Sequence, residues 1–146
     1  MGFGAAVTGT EIRDRIASLC AAQPFAFVQA VTPFSFDLQP AGEIDQVFRI
    51  ETEGGPILGG FNFREDRTDL MHIWIARKYD GAPDDAYQRL VTDATSIRAA
   101  VIRDGAVQSG EYVVPPDGAA LSVQRDPGRA FAVLRLTVPV NYEQFV

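Results

Sequence analysis

The chain has 146 residues, enough to close one hydrophobic core, and 47% apolar with 22% charged residues makes it globular rather than disordered. Its formal net charge is −6, with Lys78 the only lysine, so a phosphate-gripping basic patch is disfavoured and tight nucleic-acid binding is not expected. Cys20 is the only cysteine, which excludes an internal disulfide and a cysteine-built zinc cage.

The first residues, "MGFGAAVTGTEIRDR", lack the basic and apolar regions of a signal peptide, and Ala6 breaks the myristoylation pattern. No apolar run approaches the ~20 residues that span a bilayer. The expectation is a protein without a membrane partner, assembled in the cytoplasm.

The pattern predicts a first helix over residues 10–22. Thr8 and Glu11 have capping-box spacing, Ile12, Ile16, Leu19 and Cys20 form one apolar stripe, and Pro24 stops the helix. A short strand fits "FSFDL" at residues 34–38. "QVFRIET" at residues 46–52 alternates, with Phe48 and Ile50 on one side and Arg49 and Glu51 on the other.

The stretch "IETEGGPILGGFNFRED" then raises the possibility of a phosphate loop. Gly54 and Gly59 have roughly P-loop spacing, but Gly60 and Phe61 stand where lysine and Ser/Thr belong, and no helix pattern follows. The expectation is a flexible connection between strands, unrestrained in the free subunit and ordered by assembly. "GFNFRE" at residues 60–65 reads as a further strand, and "DLMHIWIARKY" at residues 69–79 as the most strand-like segment. There Met71, Ile73 and Ile75 face one way, and Leu70, His72, Trp74 and Ala76 the other.

A second helix is predicted over residues 81–105. Pro83 and Asp84 or Asp85 suit its start, Tyr87, Leu90, Val91, Ala94, Ile97 and Val101 its core stripe, and Gly105 its end. "EYVV" at residues 111–114 reads as a short strand. "ALSVQRDPGRAFAVLRLTV" reads as a hairpin about a Pro127-Gly128 turn, which pairs Val123 with Ala132 and Leu121 with Leu134. A bulge at this turn is an open alternative.

No catalytic, cofactor-binding or metal site emerges. His72, the sole histidine, lies mid-strand beside apolar neighbours and reads as a satisfied core or interface residue. Glu65, Asp66 and Asp69 could act as paired carboxylates, but alternating signs in "REDRTD" fit a solvated face or an intersubunit network better. Several strands are apolar on both faces, so a sheet face beyond the reach of two helices needs another cover, either a second sheet of the same chain or neighbouring subunits.

The order of a short helix "TEIRDRIASLCAA", a β region with "EGGPILGGFNFREDRTD", a long helix "DDAYQRLVTDATSIRAAVIRD" and a terminal hairpin resembles the tail terminator, or tail completion, proteins of long-tailed bacteriophages. The resemblance is one of layout, so it carries over no functional residue. It implies a single α+β domain, mainly antiparallel sheet with two principal helices on one face. It also implies a structural, non-enzymatic virion protein, a homo-oligomer forming a hexameric ring that caps the tail tube, ends its polymerisation and joins it to the head connector. Its implied partners are the tail tube protein and the head–tail connector protein, with DNA passing through unbound. Gly54, Gly55, Gly59, Gly60, Arg64, Glu65, Asp66 and Arg67 are the candidate intersubunit or partner interface. The alternatives are a head–tail stopper, a tail tube subunit, or a small α+β ligand-binding domain or enzyme.

Overall fold

The structure is a computed structural model that describes residues 8–32, 35–36, 45–61, 64–79, 83–115, 120–124 and 131–145. It is an α+β fold, with a five-stranded sheet in the order β1-β2-β3-β5-β4. The elements are α1 (Gly9–Ala21), β1 (Val28–Gln29), β2 (Val47–Phe61), β3 (Arg64–Lys78), α2 (Pro83–Ile102), α3 (Gly105–Gln108), β4 (Ala120–Gln124) and β5 (Phe131–Phe145). Every strand pair is antiparallel except β1 with β2.

Helix α1 starts where the sequence places it. The Thr8 hydroxyl accepts a bond from the Glu11 amide at 3.1 Å, satisfying one of the donors that a helix start leaves unpaired. Ile12, Ile16 and Cys20 are buried on its inner stripe. Burial pushes the Cys20 thiol up to about 12, so it stays protonated and packs as a small apolar group.

Helix α2 buries Ala86, Leu90, Ala94, Ile97 and Val101. The predicted stripe is right at four positions. Tyr87 is half-buried and Val91 is 40% exposed, with Ala86 taking the inner place instead. Gly105 is not the stop that was expected: α2 ends at Ile102, and Gly105 opens the short α3.

Both helices cover one sheet face. Met71, Ile73 and Ile75 of β3 and Leu134, Leu136 and Val138 of β5 belong to the same core cluster as the inner stripes of α1 and α2. The opposite face carries a smaller cluster, Phe36, Val47, Ala76 and Val133, with Trp74 and Phe131 against it. Of the strand expected over 34–38, Ser35 and Phe36 are described: Ser35 bridges Thr32, and Phe36 is buried. The other three positions lie outside the described residues.

The terminal hairpin has the expected faces but a register displaced by two. Leu121 pairs with Leu136 and Val123 with Leu134. A shift of two keeps every side chain on its own face, so the apolar pattern cannot distinguish the two registers. The Pro127-Gly128 turn lies outside the described residues. The expected strand at 111–114 reduces to a single bridge from Val113 to Asn141.

Leu90→Ala should destabilise the fold by about 2–5 kcal/mol, the cost of a buried leucine with its cavity. Val91→Ala should stay within about 0.5 kcal/mol. Chemical denaturation measures both, and equal losses would contradict the observed helix face. Cys20 should resist thiol reagents in the native protein and react at once in denaturant.

Candidate functional site

The eight residues singled out by sequence fall together on the outer part of the β2–β3 hairpin. Gly54 pairs with Asp69, Gly59 with Asp66, Gly60 with Glu65 and Phe61 with Arg64, while Arg67 pairs with Ile57. The glycine stretch is therefore not a loose connection. It is the second half of a fifteen-residue strand, laddered to β3. The reading of residues 60–65 as one strand is corrected too, because β2 ends at Phe61 and β3 starts at Arg64 in the opposite direction.

Two glycines are required by close approach. A side chain at Gly55 would overlap the Thr68 carbonyl oxygen, and one at Gly60 would lie 2.7 Å from the Arg64 carbonyl oxygen. Register shifts between Gly54 and Ile57 and between Ile57 and Gly59 mark two irregularities in the ladder. Such bulges bend a strand and strengthen its twist. β3 changes character at the same level: residues 64–68 are exposed or half-buried, and burial begins in earnest at Asp69.

The charges on this arm are partly committed within the chain. Arg64 donates to Glu143 at 2.7 Å, across from β3 to β5. Gln144 reaches Glu65 at 3.5 Å, and Thr68 donates to Asn141 at 2.7 Å. Asp66 is exposed. At the base of the arm, Tyr142 donates to Asp69 at 2.6 Å, beside the start of α1 at Gly9. Burial first, and then this bond and the Asp69 charge, raise the Tyr142 hydroxyl above its ordinary range.

The face away from the helices carries a row of polar groups. The Arg49 and Arg135 guanidiniums lie 4.3 and 5.5 Å from the Trp74 ring centre, so two cations share one π-face system. Arg49 also pairs with Glu51. His72 has both ring nitrogens bonded, Nδ1 to Thr137 Oγ1 at 2.9 Å and Nε2 to Glu53 Oε2 at 2.7 Å. This threonine–histidine–carboxylate line has the order of a nucleophile relay, but the Thr137 hydroxyl is at the buried end and the carboxylate at the exposed one. It orders the face of the sheet.

Two bidentate ion pairs fix the helices to the rest. Arg77 of β3 holds Asp93 of α2 at 2.5 and 3.1 Å, and Arg15 of α1 holds Asp104 ahead of α3 at 2.6 and 3.0 Å. Sequence reading missed both pairs, which join residues far apart in the chain. Among the described residues, no group of three or more His, Cys, Asp or Glu could hold a metal ion. Among them, no helix is long and apolar enough to cross a membrane.

In comparisons with known proteins, no family model matches the chain, and no curated protein matches it.

Gly55→Ala should cost about 1–3 kcal/mol, as expected where backbone must shift. Gly59→Ala should be near neutral, because its nearest neighbour, the Asp66 carboxylate, is 3.8 Å from the added atom. Arg64→Glu should also destabilise the isolated chain, by about 1–2 kcal/mol after discounting for the exposed arginine, because it sets a carboxylate against the buried Glu143. Equal stability of all three variants in urea would contradict this account of the arm.

Proposed function

We propose that the chain is a structural subunit of the tail-terminator kind, a homo-oligomer that forms a ring on the end of a tail tube, stops its growth and meets the head connector. The observation that carries the reading is the arm: β2 and β3, each fifteen residues long, run beyond the helices into an end built on glycines where their charged residues are exposed or half-buried, backed by β5. The bonds within the arm hold its shape, but its exposed groups on β2 and β3 have no role in closing the core. As a contact between neighbouring subunits, or between a ring and its tube, the arm supplies a shaped and charged surface.

The sheet supports the same reading. Among the described residues its helix-free face carries the Phe36–Val133 cluster and a row in which Arg49 is buried and Trp74, His72 and Arg135 are half-buried. The layout of helix, strands, helix and terminal hairpin is the one that the family resemblance implies. The chain's −6 charge and single lysine suit a ring through which DNA slides without being held. Virion incorporation and the tube and connector partners follow from this proposal.

The test is polymerisation of the tail tube protein with and without this protein, viewed by electron microscopy. The proposal expects tubes of arrested length with a ring of extra density at one end. Tubes that grow unchanged and uncapped would refute it. Binding of duplex DNA should be weaker than micromolar at physiological salt, and sub-micromolar binding by fluorescence anisotropy would contradict the passive channel.

A further inference from the structure

Among the described residues, both edges of the sheet are unfinished. β1 pairs with β2 only at Val47 and Phe48, and the last bond along that edge runs from the Ala30 amide to the Phe48 carbonyl. Backbone groups alternate sides along a strand, so the outward side that serves Phe48 also serves Ile50, Thr52 and Gly54. None of these three has a partner on that side among the described residues. On the far side, among the described residues, β4 pairs with β5 alone, and the outer side of Ala120–Gln124 has no strand beside it. Unpaired strand edges are templates for another strand.

The exposed apolar side chains mark the same two places. Among the described residues, the exposed large aliphatics are Val28, Val31, Ile57, Val91, Val113 and Leu121. Val28, Val31 and Ile57 lie along the β1–β2 edge, and Val113 and Leu121 along the β4 side; only Val91, on α2, lies elsewhere. Scattered exposed aliphatics need no explanation, but a concentration on two opposite edges does.

Each edge also has a groove. One of about 210 Å³ is bounded by Asp14 and Ala17 of α1, by Val31, and by Ile50 of β2. The other, of about 640 Å³, lies between α2 and β4 and is lined by Arg98, Arg103, Leu121 and Leu136. Charge is mixed at the first groove, which Arg13 and Arg49 also line, and basic at the second. Asp14, Glu51 and Glu53 at the first edge pair with Arg13, Arg49 and His72, while at the second the Arg98 Nε is buried with no partner among the described residues.

We infer that copies of this chain join edge to edge, the β2 edge of one receiving β4 of the next, so that the sheet continues across the subunit boundary. Strand direction fits: β2, β3, β5 and β4 alternate, so a neighbour related by rotation presents its β4 antiparallel to β2, and because β4 stands level with residues 47–51 of β2, the axis must be inclined to the strands to set it on 50–54. Length fits as well. β4 has five residues, and β2 offers five, 50–54, between β1 and the first register shift. Within that shift Pro56 has no amide to donate, which ends the available edge. Because the two edges differ, the contact is head-to-tail, the kind that closes a ring when its rotation divides a full turn. This inference deepens the ring reading by naming the surface that builds the ring.

The test uses two variants of the full chain, each damaged at one edge. Thr52→Pro removes an outward amide where an edge strand admits proline, and Leu121→Lys places a charge on the other edge, at a side chain that is 47% exposed. Val31→Lys replaces Thr52→Pro if circular dichroism shows the proline variant misfolded, and Leu121→Ser likewise replaces Leu121→Lys. Native mass spectrometry should find the parent oligomeric and each variant monomeric. A mixture of the two should form a species of two chains and stop there, since each variant keeps the edge that the other lacks. Folded variants that assemble like the parent, a mixture that stays monomeric, or a parent that is monomeric at every concentration would each overturn edge pairing. The ring reading stands or falls separately on tube capping: capped tubes with freely assembling edge variants would refute the edges and keep the ring.

Discussion

The fold depends on the pairing of β3 with β5. These two fifteen-residue strands match along their whole length, from Arg64 with Phe145 to Lys78 with Phe131. Their inner rows, Met71, Ile73 and Ile75 beside Leu134, Leu136 and Val138, form the floor on which α1 and α2 rest. Burying these side chains contributes roughly 1.5–3 kcal/mol each. β2 and β4 are added to the outer sides of this pair, and each then presents its own outer side to whatever comes next. A central pair this long and this apolar explains both the stability of the middle and the incompleteness of the margins.

The parts legible in the sequence are those whose pattern is local. α1 carries its cap and stripe within fourteen residues, Thr8 to Ala21, and the inner face of β3 follows from simple alternation. The glycine arm was misread because its strand character is not local. Nothing in "GGPILGG" favours a strand; the segment is one because β3 lies beside it, and two of its glycines serve close approach to the Thr68 and Arg64 carbonyls. The β4–β5 register was misplaced for a related reason. The apolar pattern determines the faces but not which of two equivalent rows is opposite, and a tight turn was assumed to decide it. The candidate interface residues do converge, while their ion pairs do not all point outward. Arg64 bonds to Glu143, 79 positions away, and no spacing in the sequence announces that pair.

The proposed ring and the proposed edges join these observations. The arm offers charge and shape, the helix-free face offers a row of cations around Trp74, and the margins offer backbone unpaired among the described residues with aliphatic side chains beside it. Backbone pairing and aliphatic burial would supply affinity at the edges, and the charged groups would set the order of subunits. An acidic chain also keeps single copies apart through net repulsion until such complementary surfaces meet.

Hydrogen exchange, followed residue by residue across a dilution series, tests the central claim most directly. The amides of β3 and β5 should exchange slowly at every concentration. Those of Ile50, Thr52 and Gly54 should exchange fast in dilute protein and become protected as the chain associates. Association that leaves these three amides as fast as before would contradict the account, and so would their full protection in the isolated monomer.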